Sequence, residues 1–265
     1  MIRRCSQQDE NRILAYIGSD YPRCLYLYLD IKRYGIGSDS IDVFLQQKGD
    51  TVSAVLLKYY SCLHVFSRDD SFDAAELTDF FLGGCFTMLY CATRTAEKIY
   101  SAFPDAWKTK ADVRNGWVAQ ILSVDKEARG EAVPAQKNDF DQITRLILAD
   151  EDIGKSYRHE VLAKQLEERN REGYARNLVI RQDDLVVAHA CTNAEVENIA
   201  VVAELIVRKE YQKKGFASEI WRDLCHRLLS EGKEVYSFYY SEESRMLHKH
   251  IGFIEKCEWT KIVIA

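Results

Sequence analysis

Apolar positions along the chain switch between spacings of three to four and spacings of two, and the switches occur twice in the same order. In the second half, Phe140, Ile143 and Ile147 share one helical face behind a cap at Asn138 or Asp139. A second helix is predicted from Ser156, with Tyr157, Val161, Leu162 and Leu166 inward. Short strands at 178–180 and 185–190 are joined by the turn Gln182-Asp183-Asp184. A longer strand at 199–207 precedes a helix at 216–230, in which Ile220, Leu224 and Leu228 recur every four residues and Gly232 is placed to end it. A strand at 235–239, a helix at 242–250 and strand material at 253–264 follow.

The first half repeats this plan. Helices are predicted over 9–17 and 21–34, strands over 41–47, 51–58 and 62–66, a helix from Asp73, a strand at 87–91, a helix at 95–103 and closing strand material at 117–122. Between the halves, 126–138 is charged, carries Gly130 and Pro134 and shows no apolar period, so it reads as a linker. The pattern predicts an α/β fold, a mixed twisted sheet with helices on both faces, built twice: residues 1–130 and residues 131–265.

Composition narrows the function. A net charge of −5 argues against a protein whose main task is to hold nucleic acid. Lys58, His64 and Glu204 interrupt the apolar runs before any reaches membrane-spanning length, and the polar start of the chain lacks the apolar core of a secretory signal. None of the eight cysteines is spaced C-x-x-C, which points to reduced thiols in a cytoplasmic protein and to no metal site.

The chemistry concentrates where the strand ending Leu205-Ile206-Val207 meets the helix starting at Phe216. The loop is Gln212-Lys213-Lys214-Gly215-Phe216-Ala217-Ser218. A tight turn opening a helix aims several backbone N–H groups at one point, where they and the helix dipole favour a diphosphate. Gly215 permits the sharp turn, Ala217 leaves room and the two lysines add positive charge. Gln212 to Ala217 resembles the Q/R-x-x-G-x-G/A cofactor loop of the GNAT (Gcn-related N-acetyltransferase) superfamily. Downstream, Ser241-Glu242-Glu243-Ser244-Arg245-Met246-Leu247-His248-Lys249-His250-Ile251-Gly252-Phe253 resembles that family's N-x-x-A-x-x-L-Y-x-K-x-G-F segment.

The resemblance covers 139–265 and extends to the first half only by element order. It implies acetyl-CoA in a V-shaped gap between the strands at 199–207 and 235–239. The pantetheine arm would lie along the backbone of Leu205, Ile206 and Val207, and the diphosphate on Gln212 through Ser218. It implies an N-acetyltransferase acting on a primary amine of a small molecule or amino acid, as a monomer or homodimer. The alternative is a non-catalytic CoA-binding or regulatory protein on the same scaffold.

Acid and base assignments depart from the family pattern. His248 stands at the family's tyrosine, so it is the expected proton donor to the leaving thiolate, with Tyr239 and Tyr240 as alternatives. Glu204, a carboxylate inside an apolar strand, is the candidate base. The family's strand glutamate corresponds to Val201, an odd number of residues away, and a regular strand would turn Glu204 to the opposite face. Glu195 and Glu197 are further candidates for the base, and His189 and Cys191 for the cleft wall. The corresponding first-half loop, 67–72, has no glycine and two aspartates, so no CoA is expected there.

Overall fold

The computed structural model describes residues 1–124, 129–150, 154 and 158–264. They form two units, Met1–Val118 with Glu255–Ala265, and Ala119–Ile254. Each is built on a mixed α/β plan.

In the first unit, strand β1 (Ile2–Arg4) precedes helices α1 (Glu10–Ile17) and α2 (Leu25–Tyr34). Strands β2 (Asp42–Lys48), β3 (Thr51–Tyr59) and β4 (Cys62–Phe66) follow. Helix α3 (Ala74–Gly83) leads to β5 (Met88–Ala92), α4 (Thr93–Ser101), the short α5 (Asp105–Lys108) and β6 (Ala111–Ile121), whose residues from Ala119 belong to the second unit. β1 to β4 pair antiparallel in sequence order, and β4 pairs parallel with β5. β3 explains why its sequence is a continuous apolar run. Ala54 and Leu56 pack with α3 and α4 residues such as Leu77 and Ile99, while Val55 and Leu57 pack with Ile13 and Ile31 of α1 and α2. A strand covered on both faces has no side left for polar residues.

The second unit runs β7 (Val133–Pro134), α6 (Phe140–Leu148), α7 (His159–Arg171), β8 (Asn177–Gln182), β9 (Leu185–Glu195), β10 (Ile199–Val207), α8 (Phe216–Ser230), β11 (Glu234–Tyr239) and α9 (Glu242–Ile251). β7 to β10 again pair antiparallel in order, and β10 pairs parallel with β11. The same strand pairings, with two helices after the first strand and one before the fifth, make the duplication visible. The last strand, β12 (Phe253–Ile264), begins beside this unit's α9, but its residues from Glu255 belong to the first unit, where it pairs antiparallel with β5.

Several boundaries differ from the sequence reading. β9 runs five residues past Ala190, and β6 starts at Ala111 rather than Trp117. β7 lies within the stretch read as linker. Leu162 and Leu166 of α7 are buried as expected, whereas Val161 is 46% exposed. Ser156 and Tyr157 lie outside the described residues. No helix among the described residues is long and apolar enough to cross a membrane.

Candidate functional site

β10 and β11 are paired only from Ile199–Glu234 to Val202–Ser237, although β10 runs on to Val207 and β11 to Tyr239. Beyond that point the two parallel strands part. The backbone of Leu205, Ile206 and Val207 pairs only on its β9 side, through Ile206–His189 and Val207–Ala188. A strand edge that lacks a neighbour presents N–H and C=O groups to any extended amide chain laid beside it.

At the point of divergence β10 bulges. From Ala203 to Ile206 it takes three steps while β9 takes two, from Cys191 to His189. Glu204 occupies the bulge with φ 52°, a left-handed conformation uncommon for a non-glycine residue. Ala203 and Ile206 face α6 and α7, as Ile206 packs with Ile143, Leu162 and Val179. The extra residue turns Glu204 to this same face, where its carboxylate accepts a hydrogen bond from the Cys191 thiol at 3.4 Å. By the alternation of the strand, Val201 shares the face of Ala203. The odd spacing between Val201 and Glu204 is therefore compensated, and the face expected from a regular strand is corrected by the bulge.

Glu204 is 9% exposed and stands in a recess whose wall includes Gln165 and Arg169 of α7 and Asn177, Cys191 and Asn193 of β8 and β9. Burial pushes its carboxyl pKa above the usual range, and Arg169 partly opposes that shift. A carboxylate moved towards neutrality in a recess is suited to take a proton from an ammonium group. The other carboxylates are placed differently. Glu195 is held by Arg176 and lies 3.5 Å from Lys233, and Glu197 is exposed. His189 is fully buried beneath the recess, with Nε2 3.0 Å from Asn177 Oδ1, and burial lowers its pKa to about 4.

The loop before α8 has the form a diphosphate requires. Lys213 (φ 60°) and Gly215 (φ 92°) both adopt left-handed conformations, and Gly215 is the N-cap of α8. The Gln212 side chain donates to the Val207 carbonyl at 3.2 Å, tying the loop to the strand end. The first backbone N–H to find a carbonyl is that of Glu219, on Gly215 at 3.0 Å; those from Lys213 to Ser218 have no acceptor among the described residues. These are the orphan donors of a helix start, gathered around one glycine. Lys214 lies over the Tyr211 ring at 4.8 Å. The sequence reading missed Arg129, whose guanidinium is 3.5 Å from Glu219 and whose Nη2 would be 3.3 Å from a Cβ on Gly215. Nothing in its surroundings along the chain marks it, because the charged linker contains many such residues.

His248 is on the α8 side of the sheet, against Trp221, Tyr239 and Phe253. It is 4% exposed. Its Nδ1 is 2.7 Å from the Ser244 carbonyl, which accepts only from an N–H, so Nε2 accepts the Ser237 hydroxyl at 2.8 Å. Burial lowers its pKa to about 4. The expected proton donor is thus a neutral ring with both nitrogens engaged by the protein. Tyr239 is buried with its ring tilted 45° to the imidazole at 4.8 Å, whereas Tyr240, next along the chain, is 37% exposed.

The first unit also has a parallel pair, β4 and β5, but its loop is fastened inward. Asp70 accepts a hydrogen bond from Thr95 Oγ1 at 2.6 Å and is 3.3 Å from Arg94, and Lys98 donates to the carbonyls of Asp70 and, at 2.9 Å, Phe72. All three partners lie on α4, so side chains of that helix hold the loop. Among the described residues, no cluster of three or more His, Cys, Asp or Glu side chains could hold a metal ion.

Comparison with known proteins agrees with this geometry. Residues 140–253 match the model of the acetyltransferase (GNAT) family. A GNAT-family acetyltransferase from Colwellia psychrerythraea has the same fold at TM-score 0.63 and 11% identity, over 100% of both chains. A tandem GNAT protein from the clavulanic acid biosynthesis pathway matches at TM-score 0.60 and 10% identity, over 100% of this chain and 98% of that one. A GCN5-related N-acetyltransferase from Sphaerobacter thermophilus matches at TM-score 0.62 and 13% identity, over 99% and 94%. No curated protein matches the chain in sequence. Residues 140–253, within the second unit, carry a GNAT acetyltransferase domain, and the whole chain shares the fold of solved GNAT proteins, a tandem one among them.

Proposed function

We propose that the second unit transfers an acetyl group from acetyl-CoA to a primary amine of a small molecule or amino acid. The observation that carries this reading is the coincidence of three features within five residues of β10: the end of pairing with β11, the bulge, and the buried carboxylate of Glu204. The residues present suit the cofactor. The donors from Lys213 to Ser218 match a diphosphate, and the edge of Leu205 to Val207 that β11 leaves open, where Gln212 already takes the Val207 carbonyl, matches the amides of a pantetheine arm. When bound, acetyl-CoA supplies an activated carbonyl. Glu204 accepts one proton of the acceptor's ammonium group, the new C–N bond replaces the C–S bond, the leaving thiolate takes a proton from Tyr240 or from water, and the second proton shed by the nitrogen restores that donor. His248 keeps its neutral ring in the packing of α9 on β11.

The non-catalytic reading draws on one observation, the engagement of His248 at both nitrogens. Free thiol followed with acetyl-CoA and a pooled set of amines separates the two. Release that depends on an amine, and that Glu204→Gln abolishes, supports transfer. Thermal stabilisation by CoA with no amine-dependent release supports a binding protein. The acceptor is a small molecule; the chain works as a monomer or homodimer in the cytoplasm.

A further inference from the structure

The stretch that reads as a linker in the sequence is docked on α8 as a strap over 129–132. Glu219, Asp223 and Arg227 recur every four residues along that helix, and Arg227 is 2.8 Å from Asp223. Both ends of the strap are held by this stripe. The backbone N–H of Arg129 donates to the carboxylate of Glu219 in the first turn, and the Ala132 carbonyl accepts from Arg227 Nη2 at 2.8 Å, two turns further on. Gly130, at φ 77°, bends the chain between the two anchors. Glu219 is 4% exposed and Ala132 1%.

The strap begins at the N-terminus of α8, so it sets the Arg129 side chain beside the loop. Nε is 3.5 Å from Glu219, Nη1 is 3.5 Å from Glu131, and Nη2 would stand 3.3 Å from a Cβ on Gly215, the N-cap. The side chain is 64% exposed, which leaves it open to a ligand that reaches the loop. A carboxylate in the first turn suits the helix dipole, yet its charge would repel a phosphate bound at the same turn. A guanidinium between them offsets that charge. Held by two carboxylates, it loses little side-chain freedom on binding, and its planar fork matches a pair of phosphate oxygens.

We infer that Arg129 binds the diphosphate of CoA, adding a charged contact from the strap to the backbone N–H groups of the loop. This rests on the cofactor reading above. The diphosphate is chosen over the ribose phosphate because Nη2 meets Gly215, around which those donors are gathered.

The test is calorimetric titration with CoA and with dephospho-CoA, which keeps the diphosphate and lacks the ribose phosphate. Circular dichroism and thermal melting check the fold of each variant. Arg129→Gln should weaken both ligands about tenfold, the worth of one charge-assisted contact, and Arg129→Lys should recover part of the loss. Glu219→Gln keeps an acceptor for the Arg129 N–H and removes the charge that Arg129 offsets. The double variant Arg129→Gln/Glu219→Gln should therefore still bind about tenfold more weakly than Glu219→Gln alone. Equal affinity of those two would mean that Arg129 only neutralises Glu219, and would overturn the inference. Unchanged affinity in Arg129→Gln, or a loss confined to CoA, would overturn it as well, with CoA still bound by the wild type. If the wild type binds neither ligand, the cofactor reading itself has failed and the inference with it.

Discussion

Glu204 combines three unusual properties: a left-handed backbone, burial and a raised pKa. Replacing it with glutamine keeps the shape and removes the base. Turnover should fall roughly 10²- to 10⁴-fold with CoA affinity nearly unchanged, measured by steady-state kinetics and by calorimetry. The same substitution has a stability signature. Because the folded state holds the carboxyl proton more tightly than the unfolded chain, the stability linked to that proton is fully present below the unfolded carboxyl pKa. It is lost as pH rises through the raised value. Glu204→Gln should therefore raise the melting temperature relative to wild type at alkaline pH and lose this advantage at acid pH. The opposite pH trend would show that the carboxylate is stabilised as an anion.

His248 makes a contrasting prediction. His248→Phe leaves the Ser237 hydroxyl without its partner in a buried site and should destabilise the protein by about 1–3 kcal/mol in denaturant titration. Turnover of the folded fraction should stay close to wild type. A large loss of turnover at unchanged stability would restore the ring as the proton donor. The sequence pointed to this residue through its motif position, and position alone does not reveal that two serines, at 237 and 244, occupy both nitrogens.

At the scale of elements, the strand–loop–helix unit from β10 through α8 was the most legible part of the chain. Its signals are local: an apolar run, a glycine at the N-cap and an amphipathic helix with Ile220, Leu224 and Leu228 all fully buried. The bulge was not legible, because it is a mismatch in count between β10 and β9 and no run of residues in either strand announces it. On α7 the apolar period marks Leu162 and Leu166, both buried, and also Val161, which is 46% exposed; it does not mark the polar Gln165 and Arg169, which line the recess. Gly215→Val tests the loop. A β-branched residue is disfavoured at φ 92°, and its Cβ would stand 3.3 Å from the Arg129 guanidinium. CoA binding should become undetectable in calorimetry while far-ultraviolet circular dichroism stays unchanged. Unaltered affinity would mean that the cofactor binds elsewhere.

For the whole molecule, the duplication was legible as an order of elements, and the repeated strand pairings β1 to β5 and β7 to β11 bear that order out. The destination of the last strand was not. β12 follows α9 directly in sequence yet pairs with β5 of the first unit, and its apolar pattern would suit either sheet. Since the first unit's loop is bound to α4 by Asp70 and Lys98, calorimetric titration should give one acetyl-CoA per chain; two equivalents would show that this loop opens. The central claim, acetyl transfer by the second unit, is tested most directly by mass spectrometry of a pooled amine mixture incubated with acetyl-CoA and either wild-type protein or Glu204→Gln. One or more amines should gain an acetyl group with an equivalent of free thiol in the wild type, and this product should be lost in Glu204→Gln. Binding of acetyl-CoA with no acetylated amine, or equal product from both proteins, would contradict it.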